Sequence, residues 1–416
     1  MIDFLKSLSG FALVNFLRSL IPFVLMPLLT RKMSPGGYGT LSLFEVTILI
    51  LAPLFLCNSH ALMSAVYHRV ERSVAGQYVY VSMLVTLLLA AITQVLLWAA
   101  GDELRQLFEV NDSFYLLIPL FVFARAVVFY VNNVLQLQQR AVPYGVYTIG
   151  VTALDLALSI LFVVVWNGGY KGRLIGSYTA MFLFGAYGLW ALWRQGLINF
   201  RYSAPLVTEI LRYGLPLVPH ALGGVSLAMA NRYLIAHALG PSSVGYYSVA
   251  YQLASVMLLA GTSINQVWSA WLFRLVSKDL EGNAQTIRRL FFLNVGLMVC
   301  AAVVIQLAVN ILFAIFVDPK FYAAKTYFPW MLLGFLCQSL YFLFINFDFY
   351  DKKVISIGVV TFAVAGVNIW LTIQWLPVFG VMGAAYASAA SMALYLVAVM
   401  TRVVVLNKTF RAVWQT

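Results

Sequence analysis

The sequence predicts an all-α integral membrane protein with about twelve transmembrane helices in two six-helix lobes around a central cavity. Two observations indicate this fold class. Of the 416 residues, 62% are hydrophobic and only 10% are charged, whereas soluble domains carry about 25% charged residues. Similar segments also recur about half a chain length apart. The three cysteines lie in apolar runs, so neither a disulfide framework nor a cysteine metal site is predicted.

Twelve apolar runs are long enough to cross a bilayer, which takes about 20 mainly apolar residues in a helix. Their length and the lack of strict alternation exclude barrel strands. The first run contains Arg18 and lacks a small-residue cleavage site, so it is predicted to be a membrane span and not a secretory signal. The runs lie at about 8–30, 40–66, 78–100, 114–137, 143–166, 174–193, 213–238, 244–273, 290–317, 326–347, 354–376 and 381–405.

The distribution of lysine and arginine predicts that both termini are cytoplasmic. With the amino terminus inside, 16 of the 26 cationic residues fall in inner segments and seven in outer loops, in agreement with the positive charge typical of cytoplasmic loops. Arg173 is one of the seven, assigned to the loop before the sixth span. The longest predicted outer loop, at about 101–113, contains neither His nor Cys. Arg18, Arg125 and Arg232 remain within the membrane.

Two halves of the chain carry similar segments in the same order. The turn in LTRKMSPGGYGTLSLF matches LGPSSVGYYS, and TIGVTALDLALS matches TFAVAGVNIWLT, which aligns Asp155 with Asn368. Pro and Gly are expected to break the helix at each turn. Because six spans per half is an even number, the repeat is parallel, and two such lobes are typical of alternating-access transporters. The predicted parts are an N-terminal lobe at 1–196, a cytoplasmic linker at 197–207 and a C-terminal lobe at 208–416.

Polar side chains recur on single faces of the predicted spans, where each ionisable group costs about 2.5–3.5 kcal/mol. Such groups usually face a bundle interior or a wet cavity. Glu45 and Asp155 are candidates either to pair with the arginines or to carry a coupling proton, and His220 is a further proton candidate. The alternatives are hydrogen bonds between helices for the neutral residues and snorkelling to the membrane surface for Arg232.

Four stretches of the chain resemble the bacterial polysaccharide flippases. They are PLLTRKMSPGGYGTLSLF, ANRYLIAHALGPSSVGYYSVAYQLA, FVDPKFYAAKTYFPWML and KKVISIGVVTFAVAGVNIWLTIQWLPVFGVMGAAYASAAS. This family, which includes the O-antigen flippases, belongs to the multidrug, oligosaccharidyl-lipid and polysaccharide exporter superfamily. Its members often have Asp-Arg and an aromatic residue before the second turn. This chain has Asn231, Arg232 and Tyr233 there, so the arginine carries over and the acid does not.

The resemblance implies a twelve-helix, two-lobed flippase of the bacterial inner membrane. Its substrate would be an undecaprenyl-diphosphate-linked oligosaccharide for O-antigen, lipopolysaccharide or a related surface polysaccharide. Its partners would be this lipid-linked substrate, the phospholipid bilayer and the polysaccharide polymerase machinery. Arginine forks suit a diphosphate, and amides can replace the water around sugars. The predicted diphosphate ligands are Arg18, Arg125 and Arg232, and the predicted sugar ligands are Asn15, Asn132, Asn231 and Gln266.

Two other functions are also compatible with the sequence. An ion-coupled multidrug exporter of the same superfamily would favour a carboxylate-rich cavity, and here three arginines stand against Glu45 and Asp155. A membrane polysaccharide polymerase or ligase would need a sizeable outer loop with acid-base or metal residues. No cofactor, metal or nucleic-acid site is predicted, since GGYG and WNGGYKG lack the Lys-Ser/Thr pair of a phosphate-binding loop.

Overall fold

The computed structural model of the protein describes residues 2–99, 113–351 and 354–415, and within them the side chains of all but residues 2–13, 16, 220 and 354–357. The regular elements in these ranges are helices. We number them α1 to α18 in chain order: Ile2–Lys32, Pro35–Leu56, Ser59–Val66, Arg72–Ala99, Ile118–Leu137, Ala141–Ile160, Gly169–Arg194, Ala204–Gly214, Val218–Met229, Asn231–Leu239, Pro241–Ala254, Val256–Lys278, Leu280–Leu307, Val309–Phe316, Phe328–Tyr350, Val354–Phe379, Val381–Leu406 and Lys408–Gln415.

Ten helical segments of the described residues are long and apolar enough to cross a membrane. The first predicted span forms the single helix α1. The seventh, predicted at 213–238, begins only at Val218 because Pro216 and Pro219 disfavour an earlier start. It is then divided into α9 and α10 at Ala230, which itself keeps helical dihedral angles. The prediction of an all-α, multi-pass membrane protein is therefore confirmed, with this span shorter than expected.

The second predicted span is interrupted where the sequence gives little warning. Cys57 and Asn58 both adopt left-handed dihedral angles, with φ of 44° and 46°, which is uncommon for residues other than glycine. They end α2 and start the short helix α3. The prediction of one continuous helix over 40–66 is therefore wrong at these two residues.

Both repeated turns begin a helix with proline. Pro35 occupies the first turn of α2, and the Ser34 hydroxyl accepts a hydrogen bond from the backbone N–H of Gly37 at 3.1 Å. Pro241 likewise opens α11 after Gly240, whose φ is 78°. Proline is well suited to this position because the first N–H groups of a helix have no partner within it. The helices therefore start earlier than the turn residues alone suggested.

The chain packs as two compact units, Met1–Val225 and Ser226–Thr416. Helix α8 belongs to the first unit because it contacts α3 and α4. The last residue of α8, Gly214, packs directly against the backbone of Cys57, because an added Cβ would lie 1.6 Å from the Cys57 carbonyl oxygen. The segment predicted as a linker therefore packs on the first unit. The lobe bounds 1–196 and 208–416, which follow from the repeat, stay a prediction.

Each unit has its own apolar core. In the first unit, Val79, Tyr130 and Leu192 are fully buried and come from α4, α5 and α7. In the second unit, the Trp268 indole donates a hydrogen bond to the Leu343 carbonyl at 3.3 Å, which ties α12 to α15. The terminal helix α18 contacts α13 and α17. These cores fix the positions of the helices that carry the polar and charged residues.

Candidate functional site

Four helices of the first unit bring two of the predicted arginines together. Helix α1 packs on α6, and the Tyr144 hydroxyl of α6 donates to the Asn15 amide oxygen of α1 at 2.7 Å. Arg18 lies one turn further along α1, and its side chain is exposed. It lies within electrostatic range of Tyr144 and Arg125. The Arg125 guanidinium on α5 interacts with the hydroxyl of Tyr178 on α7. Two like charges of the first unit thus lie within electrostatic range of each other.

A buried ion pair lies beside these arginines and involves a residue that the sequence placed in a loop. Arg173 stands in the first turns of α7 and not in an outer loop, so that assignment was wrong. Its guanidinium binds the Asp155 carboxylate of α6 and donates to the Ser159 hydroxyl at 2.6 Å. Only 12% of the Arg173 side chain and 14% of the Asp155 side chain are exposed. The partner of Asp155 is therefore Arg173.

Two glycines allow this ion pair to form. An added Cβ at Gly172 would lie 2.7 Å from the Phe162 carbonyl oxygen, and one at Gly176 would lie 2.9 Å from the Leu158 carbonyl carbon. Helix α7 therefore approaches the end of α6 very closely, as small residues four apart allow in membrane helices. The sequence GRLIG was the signal that could have identified Arg173 as an intramembrane residue.

Glu45 is the second acid near the arginines. It is exposed on α2 and lies within electrostatic range of Arg173 and Tyr178. The group of charged side chains in this part of the first unit thus contains three arginines, Arg18, Arg125 and Arg173, and two carboxylates, Glu45 and Asp155. Because Arg173 holds Asp155, the charges of Arg18, Arg125 and Glu45 remain, and these three carry one net positive charge.

Asn132, predicted to contact sugar, is buried between helices. Its amide oxygen accepts a hydrogen bond from the Thr148 hydroxyl at 2.8 Å, and both side chains are less than a tenth exposed. The bond joins α5 to α6, two turns along α5 from Arg125. This contact corresponds to the helix-joining alternative, in which a neutral polar residue links two spans.

In the second unit Asn231 lies at the centre of a polar junction between four helices. It is 4% exposed, and its amide nitrogen donates to the Ser388 hydroxyl at 2.9 Å and to the Tyr247 hydroxyl at 3.3 Å. Its amide oxygen accepts from the Thr372 hydroxyl at 3.0 Å. These bonds connect α10 with α11, α16 and α17. Asn231 is therefore satisfied by the protein itself.

Arg232 is held within the second unit by a tyrosine pair and a serine. It is 5% exposed, its guanidinium carbon lies 4.5 Å from the centre of the Tyr251 ring, and its Nε donates to the Ser248 hydroxyl at 3.1 Å. A buried guanidinium over an aromatic face is a favourable cation–π geometry. The snorkelling alternative does not describe this side chain, because it is buried among α10 and α11.

Two predicted residues remain apart from these groups. Gln266 is exposed on α12, one residue away from Asn265, whose amide oxygen accepts from Asn346 at 2.7 Å. His220 belongs to α9, but its side chain lies outside the described residues. Its proposed proton role stays a prediction.

Residues 4–276 match the family described as "Polysaccharide biosynthesis protein". The chain belongs to this family. A protein of the Lsg locus of Haemophilus influenzae is 22% identical over 376 residues, which cover 88% of this chain and 91% of that protein. The family resemblance seen in the sequence is thereby confirmed.

Solved transporter structures share the fold of this polysaccharide biosynthesis protein. One, described as "Lipid II flippase MurJ, inward closed conformation", has a TM-score of 0.74 at 10% identity and covers all of this chain and 90% of that chain. Another, an inward-facing multidrug resistance MATE family transporter of the MOP superfamily, has a TM-score of 0.66 at 14% identity and covers 97% of this chain and 95% of that chain. At these identities the likeness establishes the fold alone, which this chain shares with both transporters.

This polysaccharide biosynthesis protein has a second buried charge pair, which sequence reasoning missed. Asp348 on α15 is 1% exposed and lies 3.3 Å from a guanidinium nitrogen of Arg402 on α17. Asn407 donates to the other carboxylate oxygen of Asp348 at 3.1 Å. The pair lies within the second unit, and it links the ends of two spans. Its sequence signal was weak because Asp348 sits in the aromatic run FINFDFYD.

Proposed function

We propose that this protein is a flippase that moves undecaprenyl-diphosphate-linked oligosaccharides from the cytoplasmic to the periplasmic leaflet of the bacterial inner membrane. The units would be precursors of O-antigen or a related surface polysaccharide. Movement would occur by alternating access, as residues 1–196 rock against residues 208–416, and the product would pass to the polymerase machinery. The family, the Lsg-locus relative and the fold shared with a lipid II flippase support this proposal.

The observation that carries the proposal is the proximity of Arg18 and Arg125. Two guanidiniums close together in a membrane unit repel each other, and a diphosphate relieves that repulsion by accepting hydrogen bonds from both. Asp155 does not serve this purpose, because Arg173 holds it. The tyrosines at positions 144 and 178 orient the site from the adjacent helices.

The other predicted ligands fall into two classes. Asn15 stands beside Arg18 and is the amide best placed to reach a sugar next to the diphosphate. Asn132, Asn231 and Arg232 are engaged within their own units, so their contribution to transport would come through the shape of the helices. Gln266 is exposed and retains its proposed sugar contact.

An ion-coupled multidrug exporter is the second candidate, favoured by the fold shared with MATE transporters. Such a transporter would use carboxylates to bind cations. The excess of arginine over acid in the described charge group of the first unit favours an anionic substrate instead. A polymerase or ligase has less support, because the shared fold is that of transporters.

Complementation tests the proposal directly. The protein is produced in a bacterium that lacks its own polysaccharide flippase, and surface glycan is compared for wild type, Arg18→Ala and Arg125→Ala at matched protein levels. We expect glycan with the wild type and its loss in both variants. Arg289→Ala, a change at an exposed arginine of the second unit, is the matched control and should retain glycan. Normal glycan in both cluster variants would contradict the anion site.

A further inference from the structure

A basic pocket lies in the first unit, and none of the arginines described above lines it. It has a volume of about 350 Å³ and forms where three interhelical segments meet: the one between α3 and α4, the one between α5 and α6, and the one that follows α7. All three are predicted to be cytoplasmic. The polar residues that line the pocket are Tyr67, His68, Arg72, Gln138, Gln139, Arg140 and Gln195.

The pocket is built for an anion. Arg72 and Arg140 are both exposed and both act electrostatically on the Tyr67 hydroxyl, and none of the described lining residues is Asp or Glu. Partial burial of Tyr67 outweighs these two charges and raises its pKa, so the hydroxyl stays protonated at neutral pH and can donate a hydrogen bond. The Arg72 guanidinium also donates to the backbone carbonyl of Gln195, which holds the charge at the pocket wall.

An apolar groove of about 330 Å³ adjoins the basic pocket. It is lined by side chains of α4, α7 and the segment after α7, among them Tyr80, Trp190 and Phe200. Half of the Trp190 surface and 65% of the Phe200 surface are exposed. Exposed aromatic rings of this kind are typical of the membrane–water interface.

One short segment separates the pocket from the groove. Residues 197–200 cross α4 so closely that an added Cβ at Gly76 would lie 3.1 Å from the backbone nitrogen of Asn199, and that nitrogen donates to the Gly76 carbonyl at 3.1 Å. Leu197 lines the pocket on one side of this crossing, and Ile198 lines the groove on the other. The basic pocket and the apolar groove therefore share this segment as a wall, at one end of the spans.

We propose that the pocket binds the phosphate headgroup of an anionic bilayer phospholipid, with one acyl chain of that lipid in the adjoining groove. Basic pockets between membrane helices on the cytoplasmic side suit such headgroups, and guanidiniums bind phosphate oxygens with charge-assisted hydrogen bonds. A soluble phosphate would use the pocket but leave the groove unoccupied. The lipid uses both, and it would fasten the segment after α7 to α4.

Quenching of tryptophan fluorescence tests this proposal. The purified full chain in detergent is titrated with phosphatidylglycerol that carries brominated acyl chains, and with brominated phosphatidylcholine for comparison. We expect phosphatidylglycerol to cause a saturable quenching beyond that caused by phosphatidylcholine, since the other exposed tryptophans, such as Trp98 and Trp370, meet both lipids. This difference should be lost in Trp190→Phe/Trp193→Phe, in which phenylalanine rings still line the groove but its two indoles are gone. In Arg72→Gln/Arg140→Gln we expect binding to be about thirtyfold weaker, as two surface cations suggest.

The matched control is Arg288→Gln/Arg289→Gln, which removes two charges from the second unit and should bind like the wild type. If the pocket double variant is not monodisperse, Arg140→Gln is compared with Arg289→Gln, since Arg72 also bonds the backbone. Equal quenching by phosphatidylcholine would overturn the headgroup site, and displacement by millimolar inorganic phosphate would overturn the lipid in favour of a soluble anion. The assay contains no glycan-linked lipid, so its result is independent of the transport function.

Discussion

At the scale of single residues, the first unit holds a neutralised charge pair and, near it, the two like charges of Arg18 and Arg125. Arg173 and Asp155 neutralise each other in a mostly buried pair, and Ser159 completes the set of hydrogen bonds. Removal of one member of a buried pair leaves the other charge uncompensated. Arg18 and Arg125 cannot neutralise each other in this way, because both are positively charged.

We expect Asp155→Asn and Arg173→Gln each to destabilise the protein by about 3–5 kcal/mol, since each leaves one buried charge. The double variant should lose clearly less than the sum of the two, because both charges are then gone. Thermal unfolding of the purified protein in detergent measures all three. Additive losses would show that the two side chains contribute independently, contrary to the buried pair.

Asn231 offers a second test at this scale, because the family resemblance associates its position with an acid. Asn231→Asp would remove the amide donor to the Ser388 hydroxyl and to the Ala384 carbonyl oxygen. A carboxylate facing a buried carbonyl loses a hydrogen bond and gains repulsion, so we expect a loss of about 1–3 kcal/mol in stability. The unfolding midpoint provides the measurement, and Gln266→Glu at an exposed site is the control. An unchanged or higher midpoint would mean that Arg232 stabilises the new charge.

The sequence was sufficient to find Arg18 and Arg125 and to place them within the first and the fourth predicted spans. It was not sufficient for Arg173, because hydropathy starts the sixth span at about residue 174, whereas α7 begins at Gly169. The extra turn exists because Gly172 and Gly176 let α7 pack onto α6, a tertiary effect that hydropathy does not contain. Likewise, the burial of Asn132 and Asn231 depends on which helices meet, and a single helix face does not reveal that.

At the scale of elements, α8 shows how the segment between the repeats is fixed. Its last residue, Gly214, has the Cys57 carbonyl oxygen where any larger residue would place its Cβ. The backbone at Cys57 and Asn58 is itself in the left-handed region, so the contact joins an amphipathic helix to an unusual helix break. The sequence indicated a polar link here, but not a docked helix.

We therefore expect Gly214→Ala to separate α8 from residue 57 and to lower stability or yield strongly. Gly224→Ala is the matched control, because no atom lies within 4 Å of an added Cβ there. In that variant we expect a slight gain, up to about 1 kcal/mol, from the better helix propensity of alanine. Yield and unfolding midpoint in detergent distinguish the two. Equal behaviour of both variants would mean that α8 is not docked against residue 57 in the membrane.

At the scale of the whole molecule, the repeated halves use matching positions for different chemistry. Asp155 and Ser159 on α6 bind Arg173, whereas the aligned Asn368 and Thr372 on α16 bond to Ser391 and Asn231. The first unit thus has an ion pair where the second has neutral hydrogen bonds. The aligned positions therefore join helices in both units, through charge in the first and through neutral hydrogen bonds in the second.

The orientation of the chain decides which leaflet each of these sites faces. Sixteen of the 26 cations lie in segments predicted to be inside, and the segment between α5 and α6, with Arg140, is one of them. The segment between α6 and α7, which contains Asn167 and Gly168, is predicted to be outside. One crossing by α6 separates them, so a pair of reporters on either side of this helix tests the orientation of the whole molecule.

We expect a fluorescent protein fused after Gln139 or after Thr416 to fluoresce, and alkaline phosphatase fused after Gly168 to be active, because that enzyme matures only in the periplasm. The reciprocal fusions, phosphatase after Gln139 and fluorescent protein after Gly168, are the controls and should be silent. The reverse pattern would place Arg72 and Arg140 in the periplasm, against the excess of inner positive charge. A lipid bound at their pocket would then belong to the outer leaflet, where the proposed substrate is released and not where it enters.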